Sequence, residues 1–172
     1  RWRDAVTARM AEAASYVSYE GLIVAVAAEI GLPPSAASQL FDLWLDMAPW
    51  PDAGALARLG LPYAFVTNSS TELAAIAARR SGLQPAFVLP AEESGWYKPH
   101  PAAYREACRR LGSPPQRTLF VAGAPYDAKG ARRAGLQVVL VVRRSDQRLP
   151  AAGIRIVSSL EEIVVGINPS DP

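Results

Sequence analysis

Apolar positions in the first part of the chain recur at helical spacing. From Trp2 to Asp46 they repeat every three or four residues, as expected for helices that each bury one face. The run Gly31-Leu32-Pro33-Pro34 interrupts the repeat, because proline lacks the amide donor that a helix interior needs. Ser35 follows this break and is a candidate N-cap. The pattern predicts two or three helices and no strand in this stretch.

After Pro49-Trp50-Pro51 the pattern changes to short apolar runs that alternate with helical segments. Such alternation is typical of βαβ units, in which helices cover both faces of a parallel sheet. The predicted fold class is therefore α/β, with a helical cap over residues 1–48 and a core over residues 49–172. The predicted strands are residues 63–67, 86–89, 118–122, 137–142 and 155–157, and the predicted helices are residues 71–81, 101–111, 127–134 and 159–164.

The composition excludes several classes of partner. The chain has 172 residues, of which 50% are hydrophobic and 20% charged, enough for one substantial core. Its net charge of +2 comes from 18 basic and 16 acidic residues without a basic stripe, so no nucleic-acid partner is expected. Its apolar runs are too short for a bilayer, so no membrane partner is expected. The single Cys108 cannot form an internal disulfide, which favours a soluble cytoplasmic protein.

Three polar clusters fall at one edge of the predicted sheet. Thr67-Asn68-Ser69-Ser70 follows the first strand, Lys98 precedes a helix, and Asp127 follows the third strand. Ligands collect at the carboxyl ends of parallel strands, because helix N-termini and loop amides converge there. Lys98 and Lys129 are the only lysines among the basic residues, so a lysine beside Pro99 is unusual for this chain. An anion-handling site is predicted, with a solvated loop lysine as the alternative.

These clusters, in this order, resemble the haloacid dehalogenase superfamily of hydrolases, and most closely its L-2-haloacid dehalogenase branch. Val66-Thr67-Asn68 is similar to the second motif, Tyr97-Lys98-Pro99 to the third and Asp127-Ala128-Lys129-Gly130-Ala131 to the fourth. Trp2-Arg3, residues 45–51 and Tyr104 extend the similarity over nearly the whole chain. The resemblance implies a Rossmann-like parallel sheet with a small helical cap.

The resemblance also implies roles for these residues. In such hydrolases an aspartate on the first strand attacks the substrate, and water then hydrolyses the ester. Lys98 would hold that carboxylate ionised, and Asp127 would orient Lys98 or the water. Thr67 would stabilise developing negative charge. The implied binding residues for a small anionic substrate are Asn68, Arg3 and Tyr104.

Structural alternatives remain open for several of these side chains. Asp127 could instead cap its helix, and Ser69 or Ser70 could cap the helix that follows them, over residues 71–81. Arg3 could simply be exposed, because it lies so near the first residue of the sequence. Tyr104 could be a half-buried packing side chain.

The nucleophilic aspartate itself is not visible in the sequence. The run Phe41-Asp42-Leu43-Trp44-Leu45-Asp46 imitates the start of that motif, but it lacks the Gly-Thr turn and falls in a predicted helix. In the family, the missing strand lies between the strands of the second and fourth motifs, and its loss would leave two unpaired strand edges. We therefore expect roughly 40 residues of a longer protein upstream of Arg1. An inactive truncated enzyme, or a strand from another chain, is the alternative.

The fourth motif also departs from the family pattern. Ala122 and Ala124 stand where this branch carries serine and asparagine, and Ala122-Gly123 where phosphatases carry a metal-binding acid. No metal or cofactor is assigned, because Asp127 alone would hold magnesium poorly. Three functions remain: a dehalogenase-type hydrolase, a magnesium-dependent phosphatase, and an inactive anion-binding domain. The resemblance also allows a homodimer.

Overall fold

Three helices occupy the N-terminal part of the chain, as the periodicity predicts. In the computed structural model, which describes residues 2–143 and 153–167, they are α1 (Trp2–Glu12), α2 (Tyr19–Glu29) and α3 (Ser35–Asp42). No described helix is both long and apolar enough to cross a membrane.

The prediction that Ser35 caps its helix is wrong by one residue. Pro34 takes the N-cap position of α3 and already has helical dihedral angles, with φ −54° and ψ −30°. Ser35 is therefore the first helical residue, and no side chain caps α3. The Ser18 hydroxyl does cap α2, where it accepts a hydrogen bond from the Gly21 amide.

The rest of the chain alternates between strands and helices. All the predicted strands and helices are present, with ends that differ by at most two residues. The strands are β1 (Ala64–Thr67), β2 (Phe87–Pro90), β3 (Leu119–Ala122), β4 (Gln137–Val141) and β5 (Arg155–Val157). The helices are α4 (Thr71–Ser81), α5 (Ala91–Ser94), α6 (Pro101–Leu111), α7 (Pro125–Arg133) and α8 (Glu161–Gly166), with 3-10 segments at Ala53–Arg58 and Pro115–Arg117. The sequence pattern missed α5 and the 3-10 segments because each is too short to show a period.

All strand pairs are parallel, and they form two separate groups. β1 pairs with β2, while β4 lies between β3 and β5. Within the described residues, no strand is hydrogen-bonded between β1 and β3. The sheet is thus divided at the place where the sequence predicts a missing middle strand.

Successive residues of β4 point to opposite faces of the sheet, because side chains alternate along a strand. Val138 and Leu140 pack with α6 and α7, while Val139 and Val141 pack with α8 and the first 3-10 segment. Both faces of this part of the sheet are therefore covered, and the α/β fold class is confirmed.

The N-terminal helices are anchored beside the loop that carries Lys98. Met10, Leu22 and Val26 form one buried cluster with Ala91 and Tyr97. The Tyr97 hydroxyl donates to a carbonyl oxygen before α2, at 2.8 Å. The packing therefore fixes the approach of α1 and α2 to residues 95–100.

Candidate active site

The centre of the site is an ion pair between Lys98 and Asp127. Lys98 lies in the loop between α5 and α6, and Asp127 is the third residue of α7, just beyond β3. Lys98 Nζ lies 2.7 Å from Asp127 Oδ2, and the two side chains are 11% and 9% exposed. A buried charge needs its partner, because removing one leaves the other uncompensated. Lys98 is therefore not a solvated loop lysine.

Tyr104 completes the hydrogen bonding of the Asp127 carboxylate. It is fully buried in α6, and its hydroxyl donates to Asp127 Oδ1 at 2.5 Å. Burial, and after it the charge of Asp127, raise the pKa of Tyr104 well above its usual range. The phenol is therefore held as a donor to Asp127. Its ring also packs edge to face against Phe120, with centroids 5.1 Å apart. Tyr104 is thus fully buried and hydrogen-bonded, and not the half-buried packing side chain of the alternative.

Asp127 does not cap its helix, so the alternative raised for it is excluded. Ala124 is the N-cap residue of α7, and no side chain accepts a capping hydrogen bond there. The helix begins at Pro125, two residues earlier than predicted, because proline is favourable in a first helical turn. Asp127 therefore sits within that first turn, where the helix dipole favours a carboxylate.

The polar residues after β1 divide into separate roles. The Ser70 hydroxyl accepts from the Leu73 amide and caps α4, as the structural alternative predicted. Ser69 is buried, and its hydroxyl lies 3.2 Å from Thr67 Oγ1. Thr67 is the last residue of β1, so its hydroxyl is the one of this group that lies closest to the strand end. It contacts the Ser69 hydroxyl.

Asn68 faces the main chain of Lys98. Its Oδ1 accepts from the Lys98 amide at 2.7 Å, and its Nδ2 donates to the Lys98 carbonyl at 2.8 Å. The same Nδ2 lies 3.4 Å from Met10 Sδ on α1. The side chain therefore links the N-terminal helices to the Lys98 loop.

Arg3 lies exposed on α1, as the structural alternative held. Its charge opposes the rise in the pKa of Tyr126 to about 12, which burial and the charge of Asp127 cause.

A cavity of about 910 Å³ opens between β1 and β3, with Phe65, Val66, Phe120 and Val121 among its apolar lining residues. Four of the six predicted site residues also line it: Thr67, Lys98, Tyr104 and Asp127. The other two, Asn68 and Arg3, are not among its lining residues. The cavity thus occupies the gap in the sheet, and the Lys98–Asp127 pair and the Thr67 hydroxyl lie along its wall.

Comparison with known proteins identifies the family behind this geometry. The sequence model of the haloacid dehalogenase-like hydrolases matches residues 8–135. The chain belongs to this family. Haloacetate dehalogenase H-2 of Moraxella sp. is 32% identical over 114 residues, which are 63% of this chain and 51% of that protein. The (S)-2-haloacid dehalogenase of Xanthobacter autotrophicus is 30% identical over 126 residues, which are 70% and 50% of the two chains. The chain thus spans about half the length of these curated relatives.

Solved structures agree with the haloacid dehalogenase-like fold. The crystal structure of the L-2-haloacid dehalogenase PA0810 matches with a TM-score of 0.78 and 28% identity, covering 96% of this chain and 80% of that chain. An L-2-haloacid dehalogenase from Xanthobacter autotrophicus, with chloropropionic acid covalently bound, has a TM-score of 0.80 at 20% identity. That match covers 99% of this chain and 85% of the other.

The donors present do not fit the magnesium site of a haloacid dehalogenase-like phosphatase. Magnesium needs several oxygen ligands, usually with more than one carboxylate. Both Asp127 oxygens already accept hydrogen bonds, from Lys98 and Tyr104. Within residues 2–143 and 153–167, no three acidic, histidine or cysteine side chains come together.

Sequence reasoning gave Gly130 no role of its own at the site, and it missed an ion pair outside the site. Gly130 packs directly against Tyr104 and Pro99, although the sequence signalled it only as part of the Asp-x-x-Gly-Ala motif. Asp52 forms an ion pair with Arg143 at 2.8 Å, and no sequence signal connects these two positions.

Proposed function

We propose that this chain forms part of a 2-haloacid dehalogenase whose nucleophilic aspartate lies on a strand N-terminal to the sequence given. One observation carries the proposal: Lys98, buried and paired with Asp127, lines a cavity between the unpaired edges of β1 and β3. A parallel strand entering this gap would end near Lys98. A carboxylate at that end would meet the ammonium group within the range where opposite charges favour ionisation.

The proposed reaction has two steps. The aspartate oxygen attacks the carbon that bears the halogen, the carbon–halogen bond breaks, and the halide leaves with the electron pair. Water then adds to the carbonyl carbon of the new ester, and the acyl carbon–oxygen bond breaks. The products are a 2-hydroxy acid, a halide ion and one proton, and the aspartate is regenerated.

The residues of this chain support these steps in distinct ways. Lys98 keeps the nucleophile anionic and offsets substrate charge, while Asp127 and Tyr104 hold Lys98 in place. The Thr67 hydroxyl donates to the oxygen that becomes negative in the second step. Arg3 approaches from α1 and can bind a carboxylate through its forked donors. The N-terminal helices would act as the cap that keeps water from the ester before hydrolysis.

The substrate class follows from the relatives. The relatives are named as a haloacetate dehalogenase and (S)-2-haloacid dehalogenases. We propose a short 2-haloacid as the substrate.

The test compares two reactions with the full-length protein. Halide release from a 2-haloacid is measured beside phosphate release from a generic phosphate ester, each with and without magnesium. We expect halide release that is insensitive to magnesium. Phosphate release that requires magnesium would refute the dehalogenase proposal and support the phosphatase. Absence of both reactions, with anion binding retained, would support the inactive binding domain.

A further inference from the structure

The Asn68 side chain holds both backbone hydrogen-bonding groups of Lys98. One amide accepts from the Lys98 N–H at 2.7 Å and donates to the Lys98 C=O at 2.8 Å. A pair of hydrogen bonds to one residue fixes its orientation more strictly than a single one. The direction in which the Lys98 side chain leaves the main chain is therefore set by Asn68.

The donors of Asn68 are both occupied. An amide group has two N–H donors, and here one reaches the Lys98 carbonyl while Met10 Sδ lies 3.4 Å from the same nitrogen. A substrate anion would have to displace one of these contacts to receive a hydrogen bond from Asn68. The geometry thus suits Asn68 to hold the loop, in contrast to the direct substrate contact that the sequence predicts.

Gly130 of α7 lies against the same loop, at Pro99. A Cβ atom at Gly130 would lie 2.5 Å from the Tyr104 hydroxyl, 2.6 Å from Pro99 Cβ and 2.8 Å from the Pro99 carbonyl oxygen. Two of these atoms belong to a proline ring and a backbone carbonyl, which cannot move aside independently. Only glycine lets α7 come this close, and α7 carries Asp127.

We propose that Asn68 and Gly130 are positioning residues that clamp the Lys98 loop so that the ammonium group meets Asp127. Asn68 sets the lysine side of the pair, and Gly130 sets the distance of the aspartate side. This inference goes beyond the proposed reaction and does not depend on it, since it concerns the ion pair in the resting protein.

The test measures how fast the Lys98 amine is acylated, with Lys129 as an internal reference. The full-length protein is treated with a trace of acetic anhydride, and the two lysine peptides are quantified by mass spectrometry. Lys129 is exposed on α7 and Lys98 is buried, so we expect Lys98 to react at least about tenfold more slowly. Asn68→Ala, Asn68→Asp and Gly130→Ala should each raise the ratio of Lys98 to Lys129 labelling by about fivefold or more.

Two controls separate positioning from general loosening. Gly54→Ala adds a Cβ that meets nothing within 4 Å, so it should leave the ratio unchanged. Cys108 is 2% exposed and lines the same cavity, so its reaction with a thiol reagent reports opening of the core. The proposal requires Lys98 labelling to rise while Cys108 stays protected. An unchanged ratio in the Asn68 variants, or a parallel rise at Cys108, would overturn it. Asn68→Asp keeps the size of the side chain, so it replaces Asn68→Ala in this test if the alanine variant does not fold.

Discussion

Two ion pairs, one buried and one half-buried, lie at the carboxyl edge of the sheet in different surroundings. Lys98 and Asp127 are 2.7 Å apart, and Arg143 and Asp52 are 2.8 Å apart. Their side chains are 11% and 9% exposed in the first pair and 20% and 14% in the second. The distances do not distinguish the two pairs, although the first pair is the more deeply buried.

The surroundings of the two pairs do distinguish them. Lys98 and Asp127 line the cavity, and both carboxylate oxygens of Asp127 have partners. Asp52 Oδ2 accepts from Arg143 and from the Leu160 amide, while its Oδ1 is buried without a partner among the described residues. The Arg143 guanidinium also lies 4.8 Å from the centre of the Trp50 ring. The first pair faces a chamber, whereas the second joins the segment after Pro51 to the N-terminus of α8.

The comparison shows which features of a buried charge pair indicate chemistry. An ion pair that only links secondary-structure elements can be surrounded by backbone amides and an aromatic ring. A pair that acts on a substrate must keep one charge at the wall of a cavity and hold it there by further donors. Lys98 meets this condition, and Arg143 does not line the cavity.

The largest expected effect on stability comes from Lys98→Ala. The change leaves the Asp127 carboxylate buried without its counter-charge, which should lower the free energy of unfolding by about 3 to 5 kcal/mol. Urea unfolding followed by circular dichroism measures this. Lys129→Ala is the matched control, because Lys129 is exposed on the same helix as Asp127, and should change the value by less than about 0.5 kcal/mol. Equal effects of the two variants would contradict the burial argument.

Asp52→Ala should have a smaller effect that depends on pH. It removes the acceptor for Arg143 and for the Leu160 amide, at a cost of about 1.5 to 3 kcal/mol at neutral pH. The hydrogen bond from Arg143 holds the pKa of Asp52 below its usual range. A lowered pKa in the folded state stabilises the protein above the unfolded pKa, and this stabilisation is lost as the pH falls below it.

Unfolding of wild type and Asp52→Ala at several pH values checks this sign. The difference between the two proteins should be constant from about pH 7 to pH 5 and should shrink below about pH 4. Asp46→Ala, at an exposed position, should show no such trend. A difference that grows toward acid pH would contradict the assignment of the Arg143 pair.

The smallest expected effect comes from an exposed pair. Arg9 and Glu29 join α1 and α2 at 2.7 Å, but each side chain is 50% exposed. A double-mutant cycle with alanine at both positions should give a coupling of about 0.5 kcal/mol or less. Added salt should reduce that coupling further. A coupling as large as the free energy of unfolding lost in Asp52→Ala would contradict the expectation that a more buried ion pair contributes more to stability.

The sequence allowed much of the fold to be predicted, because the relevant signals are local. The period of apolar positions located every strand, and the Thr67, Lys98 and Asp127 motifs placed three site residues on the correct strand and helix ends. The division of the sheet was also expected, since the first motif is not visible in the sequence. The haloacid dehalogenase-like family and its fold are confirmed by the comparisons.

The remaining features depend on contacts between distant residues. Asp52 and Arg143 are 91 positions apart, so neither charge pattern nor periodicity could pair them. The role of Asn68 depends on which way an amide turns after a strand, which residue type alone does not fix. The cap boundary at residue 48, the homodimer and the direct substrate contacts of Arg3, Asn68 and Tyr104 remain predictions.

The most direct test of the central claim is the halide-release rate of two variants of the full-length protein. Lys98→Ala and Asp52→Ala are compared with wild type for kcat/KM on a 2-haloacid, below the unfolding temperature of each. The account predicts a loss of at least about 10³-fold for Lys98→Ala and a change within about threefold for Asp52→Ala. Near wild-type halide release by Lys98→Ala, or an equal loss in both variants, would contradict the claim that Lys98 and Asp127 form the reaction centre.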